Sequence, residues 1–299
     1  MGKMLKRPAP AMLEEDALTK QSQSKEIWRR FRQNKLAMVG LVIVLMMVLV
    51  ALLANVIAPY DPNVMDGASR LAKPSALHLL GTDNYGRDLL SRIIYGTRVS
   101  LLISIAGLLI ALVVGGLLGA LAGYFGGLCD SIIMRAMDIL MAIPGMLLAV
   151  CISALLGTGV VNTAIAISLG GIAPSARLLR ASVLTVRDQE FVEAARATGS
   201  GHLRTIIRQI MPNTLSPIIV DSTLRIGMNI LQISMLSFIG LGVQSPTSEW
   251  GSIMNAGRDY ITSFYPMLTF PGIAILLSMF GFNVMGDGLR DALDPKLKD

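Results

Sequence analysis

The 299-residue chain is 53% hydrophobic and only 15% charged, with a formal net charge of +6. Soluble domains hold about 25% charged residues, so this balance points to a polytopic membrane protein and away from a soluble enzyme or binding module. The excess of Lys and Arg fits basic cytoplasmic loops; without interleaved aromatic residues it does not describe a nucleic-acid surface.

Residues 1–35 form a basic polar tail with Lys3, Lys6, Arg7, Lys20, Lys25, Arg29, Arg30, Arg32 and Lys35. A secretory leader carries its apolar core nearer the start, so a retained cytoplasmic tail is expected. Ile27 to Phe31 suits a short interfacial helix with Trp28 and Phe31 toward lipid, and equally a solvated tail that only orients the first span. The first span is read at 36–58, uncharged and long enough to cross about 30 Å of hydrocarbon. Pro59-Tyr60-Asp61-Pro62 ends it, and an external loop runs to residue 97.

A five-helix core is read over 98–290. Its first member, the second span at about 99–124, sets Gly115, Gly119 and Gly123 four apart, which places all three on one face for close helix packing. The third span, about 131–156, is expected to kink at Pro144. Arg135 and Asp138, three apart, are spaced for an interfacial ion pair. The fourth span is read at about 160–180, with Arg177 and Arg180 marking its exit. The fifth, about 215–240, carries Asp221 and Arg225 at a spacing that favours mutual pairing. The sixth, about 266–286, leads into a short tail, 291–299.

Between the fourth and fifth spans lies a long polar interval, residues 186–213. Asp188 is placed to cap a helix with Phe191, Ala194 and Ala195 on one side. Gly199-Ser200-Gly201 breaks it. A second helix sets Leu203, Ile206, Ile207 and Ile210 on one face, and Pro212 ends it. With the basic N-terminus in the cytoplasm, six spans put this interval and the C-terminus there too. The first external loop then holds Arg70, Lys73, Arg87 and Arg92, offset by Asp61, Asp66, Asp83 and Asp88.

Catalytic patterns are lacking. There is no H-E-x-x-H, no G-x-S-x-G and no phosphate loop. His78 and His202 fall on opposite sides of the membrane, and Cys129 and Cys151 read as packing residues, so no metal site is expected. The central parts of the spans lack ionisable residues, which argues against a self-powered carrier or a membrane-embedded enzyme. The energy source is then another protein, reached through residues 186–213.

That interval contains Glu193-Ala194-Ala195-x-x-x-Gly199, closed by Pro212, and resembles the E-A-A loop of inner-membrane permease subunits of ABC importers. Gln209 and Met211 stand where that loop has Ile and Leu. Further motifs are similar to the C-type subunit of the dipeptide, oligopeptide, nickel and glutathione importers. They are Gly81-Thr82-Asp83-x-x-Gly86-Arg87-Asp88, Ala122-Gly123-Tyr124-Phe125-Gly126-Gly127, and Ser237-Phe238-Ile239-Gly240-Leu241-Gly242 with Glu249-Trp250-Gly251. Ser245 and Ser248 replace usual prolines there, and the run Phe282 to Pro295 matches closely.

The resemblance implies an all-α polytopic membrane protein of six transmembrane helices, the type I ABC importer permease fold, with a cytoplasmic coupling helix between spans 4 and 5. It implies half of a translocation pathway for dipeptides or oligopeptides, or alternatively for a nickel chelate or glutathione. The partners implied are a homologous second permease subunit, two ABC ATPase subunits, an extracytoplasmic substrate-binding protein and the lipid membrane. This chain would bind no cofactor, and ATP and Mg would be used by the ATPases. Phe191, Glu193, Ala194, Ala195, Gly199 and Pro212 would couple to an ATPase, and the loop with Glu249 and Trp250 would face the external partner. The location implied is a bacterial or archaeal cytoplasmic membrane, with both termini cytoplasmic.

Overall fold

A polar, amphipathic helix and an apolar one, joined at a single polar residue, open the described part of the chain. Helix α1 (Gln23–Gln33) and α2 (Lys35–Leu52) meet at Asn34, whose side chain accepts from the Ala37 amide and caps α2. The computed structural model describes residues 23–293; Lys3, Lys6, Arg7 and Lys20 of the first tail, and Asp294, Pro295, Lys296 and Lys298 of the second, lie outside the described residues. Phe31 does not face lipid as expected: it is buried against Ala37 and Ala292, and only Trp28, stacked on it at 5.9 Å, stays half-exposed. Burying the ring against two alanines removes more apolar surface from water than an interfacial site does.

After a short helix α3 (Ala54–Ile57), the chain forms a loop and then α4 (Leu89–Phe125), a 37-residue helix. It starts ten residues before the span read from sequence. Asp88 caps it, accepting from the Ser91 amide at 2.8 Å and the Ser91 hydroxyl at 2.7 Å. Its early charges are hidden from lipid. Arg92 is buried and donates to the Pro62 carbonyl, and Arg98 donates to the carbonyl of Ala51 at 2.7 Å.

Helices α5 (Gly127–Ala142) and α6 (Gly145–Leu156) flank Pro144 and are bent by 85°. The kink expected at Pro144 is a break, because the residue before a proline is driven out of the helical region: Ile143 has ψ 124. Helix α7 (Val160–Val186) returns along α4. A Cβ on Gly115 would come within 2.3 Å of the Ile172 carbonyl oxygen, and one on Gly119 within 2.2 Å of that of Ala176. Gly123 faces Val183. The three glycines thus let the α4 and α7 backbones approach closely.

The short helices α8 (Glu190–Ala197), α9 (His202–Thr205) and α10 (Met211–Asn213) lead into α11 (Leu215–Phe238). Helix α12 (Trp250–Gly257) precedes α13 (Pro266–Leu293), which packs on α2. No strand occurs among the described residues. By length and apolarity, α2, α4 and α13 qualify to cross a membrane, and the bent pair α5–α6 makes a fourth if it counts as one span.

Candidate functional site

Helix α8 carries one deeply buried side chain. Val192 is 0% exposed and packs with Tyr124, Val186, Ile206 and Ile210. Around it, Arg196 lies over the Tyr124 ring at 5.0 Å, and the Tyr124 hydroxyl and His202 Nδ1 are 2.9 Å apart. Helices α8 and α9 therefore grip the end of α4 from two sides. The remaining faces are open: Phe191, Glu193, Ala194 and Ala197 are exposed, and Ala195 is half-buried. A cleft of about 520 Å³ runs along them, lined among others by Phe191, Ala194, Ala195, Gly199 and Gln209.

The ends of α8 differ from the expectation. Gln189 occupies the cap position without a capping side chain. Asp188 instead pairs with Arg187 at 3.2 Å, and Arg187 donates to the Gly123 carbonyl at 2.8 Å. The charged partner next door outcompetes the amides for this carboxylate. At the other end Gly199 has φ +82, a conformation that glycine adopts freely, and its amide donates to Arg196 O at 3.0 Å.

The second helix is not one apolar face. Ile206 and Ile210 are buried, whereas Leu203 is 69% and Ile207 56% exposed. Residues Ile206–Ile210 form a π-turn, closed by the Met211 amide on Ile206 O. One inserted residue rotates the face, which divides the four apolar side chains into two pairs. Pro212 does not end the segment, because the helical path runs on to Asn213. The widened turn precedes the residue that has no amide to donate, and Asn213 Nδ2 caps the Gln209 carbonyl at 2.6 Å.

Two acidic residues of α5 pair across to α7. Asp138 binds Arg177 of α7 at 2.5 Å, and Asp130 binds Arg180 at 2.5 Å. The spacing-based pair Arg135–Asp138 does not form, since Asp138 is held by Arg177 of α7. Asp221 and Arg225 do pair. His78 sits 2.9 Å from Asp88, far in sequence from His202.

Glu249 and Trp250 are both buried, so their side chains do not offer a surface to an external partner. They anchor the loop from below. Glu249 caps α12 through the amides of Gly251 at 3.0 Å and Ser252 at 2.9 Å, and accepts from the hydroxyls of Ser100 and Ser234. Burial pushes its carboxyl above the usual range, and the Gly251 and Ser252 amides with the Ser237 and Ser234 hydroxyls pull against that rise. Trp250 Nε1 donates to Ile93 O at 3.1 Å. In the loop before α4, Asp66 is held below the usual carboxylate range by the Ser69 hydroxyl and the Ala68 amide.

Val192, Arg196 and His202 escape a reading by motif; Tyr124 stands in the Ala122 to Gly127 motif, but nothing local sets it against α8. The choice between Val192 and its neighbour Phe191 as the buried residue needs the tertiary fold.

Residues 115–299 match the model of the binding-protein-dependent transport system inner membrane component, and residues 22–74 match the N-terminal TM domain of oligopeptide transport permease C. The chain is 46% identical over 297 residues to the di/tripeptide transport system permease protein DppC of Pseudomonas aeruginosa, covering 97% of each. It is 42% identical over 275 residues to the glutathione transport system permease protein GsiD of Pectobacterium atrosepticum, covering 92% of this chain and 91% of that one. A solved structure of the MetNI methionine ABC transporter in inward-facing form aligns with TM-score 0.51 at 17% identity, over 66% of this chain and 96% of that chain. The chain therefore belongs to the family of binding-protein-dependent transport system inner membrane components, as a non-catalytic, C-type permease subunit of ABC importers.

Proposed function

We propose that this chain spans the membrane six times and forms half of the path of an importer for dipeptides or oligopeptides. Helices α2, α4, α5–α6, α7, α11 and α13 are the spans. Helices α7 and α11, 27 and 24 residues long, have the length to cross, and their charges pair within the protein. Both termini and α8 then lie in the cytoplasm. A different but homologous permease subunit completes the path, two ATPase subunits sit beneath, and an extracytoplasmic binding protein delivers cargo. ATP and Mg act in the ATPases.

The observation that carries this reading is the form of α8: a short rigid helix, clamped to α4 by Val192 and Tyr124, with its Glu193-Ala194 face open. Such a lever passes rigid-body motion from an ATPase to the spans, where a loose loop would absorb it. Peptide cargo rests on similarity to permeases named for di/tripeptides and dipeptides. Relatives named for glutathione, itself a small peptide, keep that cargo as the second reading. The test is uptake of a labelled dipeptide by vesicles holding the complete complex. ATP-dependent accumulation that requires the binding protein supports the reading; accumulation by this chain without ATPases contradicts it.

A further inference from the structure

The surface between α5 and α7 holds a charged cleft that the proposed coupling does not use. On α5, Asp130 and Asp138 are eight residues apart, about 12 Å along the axis. Their partners Arg180 and Arg177 on α7 are three apart, about 4.5 Å. The two ion pairs therefore diverge, and a cleft of about 530 Å³ opens between them, with Arg135 and Met134 in its wall. That volume is in the range of about 300–1,000 Å³ typical of small-molecule sites.

Three facts say what the cleft faces. Asp138 and Arg177 are each 47% exposed although paired, so their charges reach open space. Arg135 is exposed and has no ion-pair partner among the described residues. The opposite side of the pair is apolar and already filled: Met137, Ile172, Ala173 and Ala176 pack with Ala111 of α4. Charges on membrane helices are not left against lipid; they face water or protein.

We infer that this cleft is a wall of the translocation path and a subsite for zwitterionic peptide, with Arg135 receiving the cargo's carboxylate. This rests on the peptide-importer reading above. The paired Asp138 and Asp130 lie beside Arg135, where a peptide's ammonium group finds acceptors. Because both carboxylates are already held by arginines, the cleft binds weakly, as a path that must release its cargo requires. The free guanidinium is the group with donors to spare, and its planar fork matches a carboxylate.

The test uses the complete complex in vesicles. Arg135→Ala is expected to lower dipeptide uptake at least about tenfold, the worth of one charge-assisted hydrogen bond, and Arg135→Lys to restore part of it. Stimulation of the ATPases by the binding protein is expected to stay at the wild-type level, which separates a lost cargo contact from a damaged fold. Ser131, which is exposed, also lines the cleft. In a background with Cys129→Ser and Cys151→Ser, Ser131→Cys is expected to react with a charged thiol reagent and to be shielded by alanyl-alanine. Wild-type uptake in Arg135→Ala overturns the carboxylate assignment. An unreactive cysteine at 131 in the complex shows the cleft sealed against another subunit and overturns its place in the path. A wild-type complex that imports no dipeptide overturns the peptide reading and the Arg135 assignment with it, while reagent access at 131 still decides whether the cleft is open.

Discussion

Val192 and Gly119 show how single residues fix the packing of this molecule. Val192 is enclosed between α4, α7 and the π-turn, so Val192→Ala leaves a gap where α8 is fixed. A loss of about 1–2 kcal/mol is expected, read as a lower unfolding temperature of the purified subunit complex, together with weaker coupling of ATP hydrolysis to uptake. Gly119 is stricter, because a side chain there meets the Ala176 backbone. Gly119→Leu is expected to cost about 3 kcal/mol and to reduce the amount of assembled complex in the membrane; normal assembly would show that α4 and α7 do not meet there. Glu249→Ala removes the acceptor of two amides and two hydroxyls, and a loss of about 2 kcal/mol is expected, with Glu249→Gln much milder. At this scale the glycine face was legible because its spacing of four is local. The partners of Asp130 and Asp138 were not, because Arg180 and Arg177 lie 50 and 39 residues away and no local spacing announces them.

The interval from Arg187 to Asn213 is the element on which the proposed coupling turns. Its motif, its break at Gly199 and its two-helix form were visible in sequence, since glycine at positive φ and a short apolar period are local signals. Its cap and its second helix were misread, because Asp188 is claimed by Arg187 and the π-turn rotates the face. The early start of α4 was hidden for a related reason: Arg92 and Arg98 look incompatible with a span until their carbonyl partners are known. Two substitutions follow. Gly199→Pro forces a φ near −65° where the chain needs +82 and removes an amide that is bonded. Glu193→Lys places a cation in the first turn of α8, against the helix dipole, on its open face. Each is expected to reduce uptake to background while the complex stays in the membrane, checked by uptake and by co-purification of the subunits. Transport that survives both would remove α8 from the coupling step.

As a whole the chain combines the closely packed helices α4 and α7, a short helix α8 clamped to the end of α4, and a charged cleft, in a non-catalytic permease subunit. Composition and uncharged runs made the membrane class legible, and the motifs made the family legible. The number of crossings is less accessible, since α7 and α11 carry internal charges that lower their apolarity, and α5–α6 is broken by 85°. The central claim is that the open face of α8 meets an ATPase on the cytoplasmic side. Its most direct measurement is crosslinking from a cysteine at Ala197, which is exposed, in the background lacking Cys129 and Cys151. The account predicts a crosslink to an ATPase subunit that changes in yield with ATP, and protection from thiol reagents added outside. Labelling by outside reagents alone, with no ATPase crosslink, would contradict it.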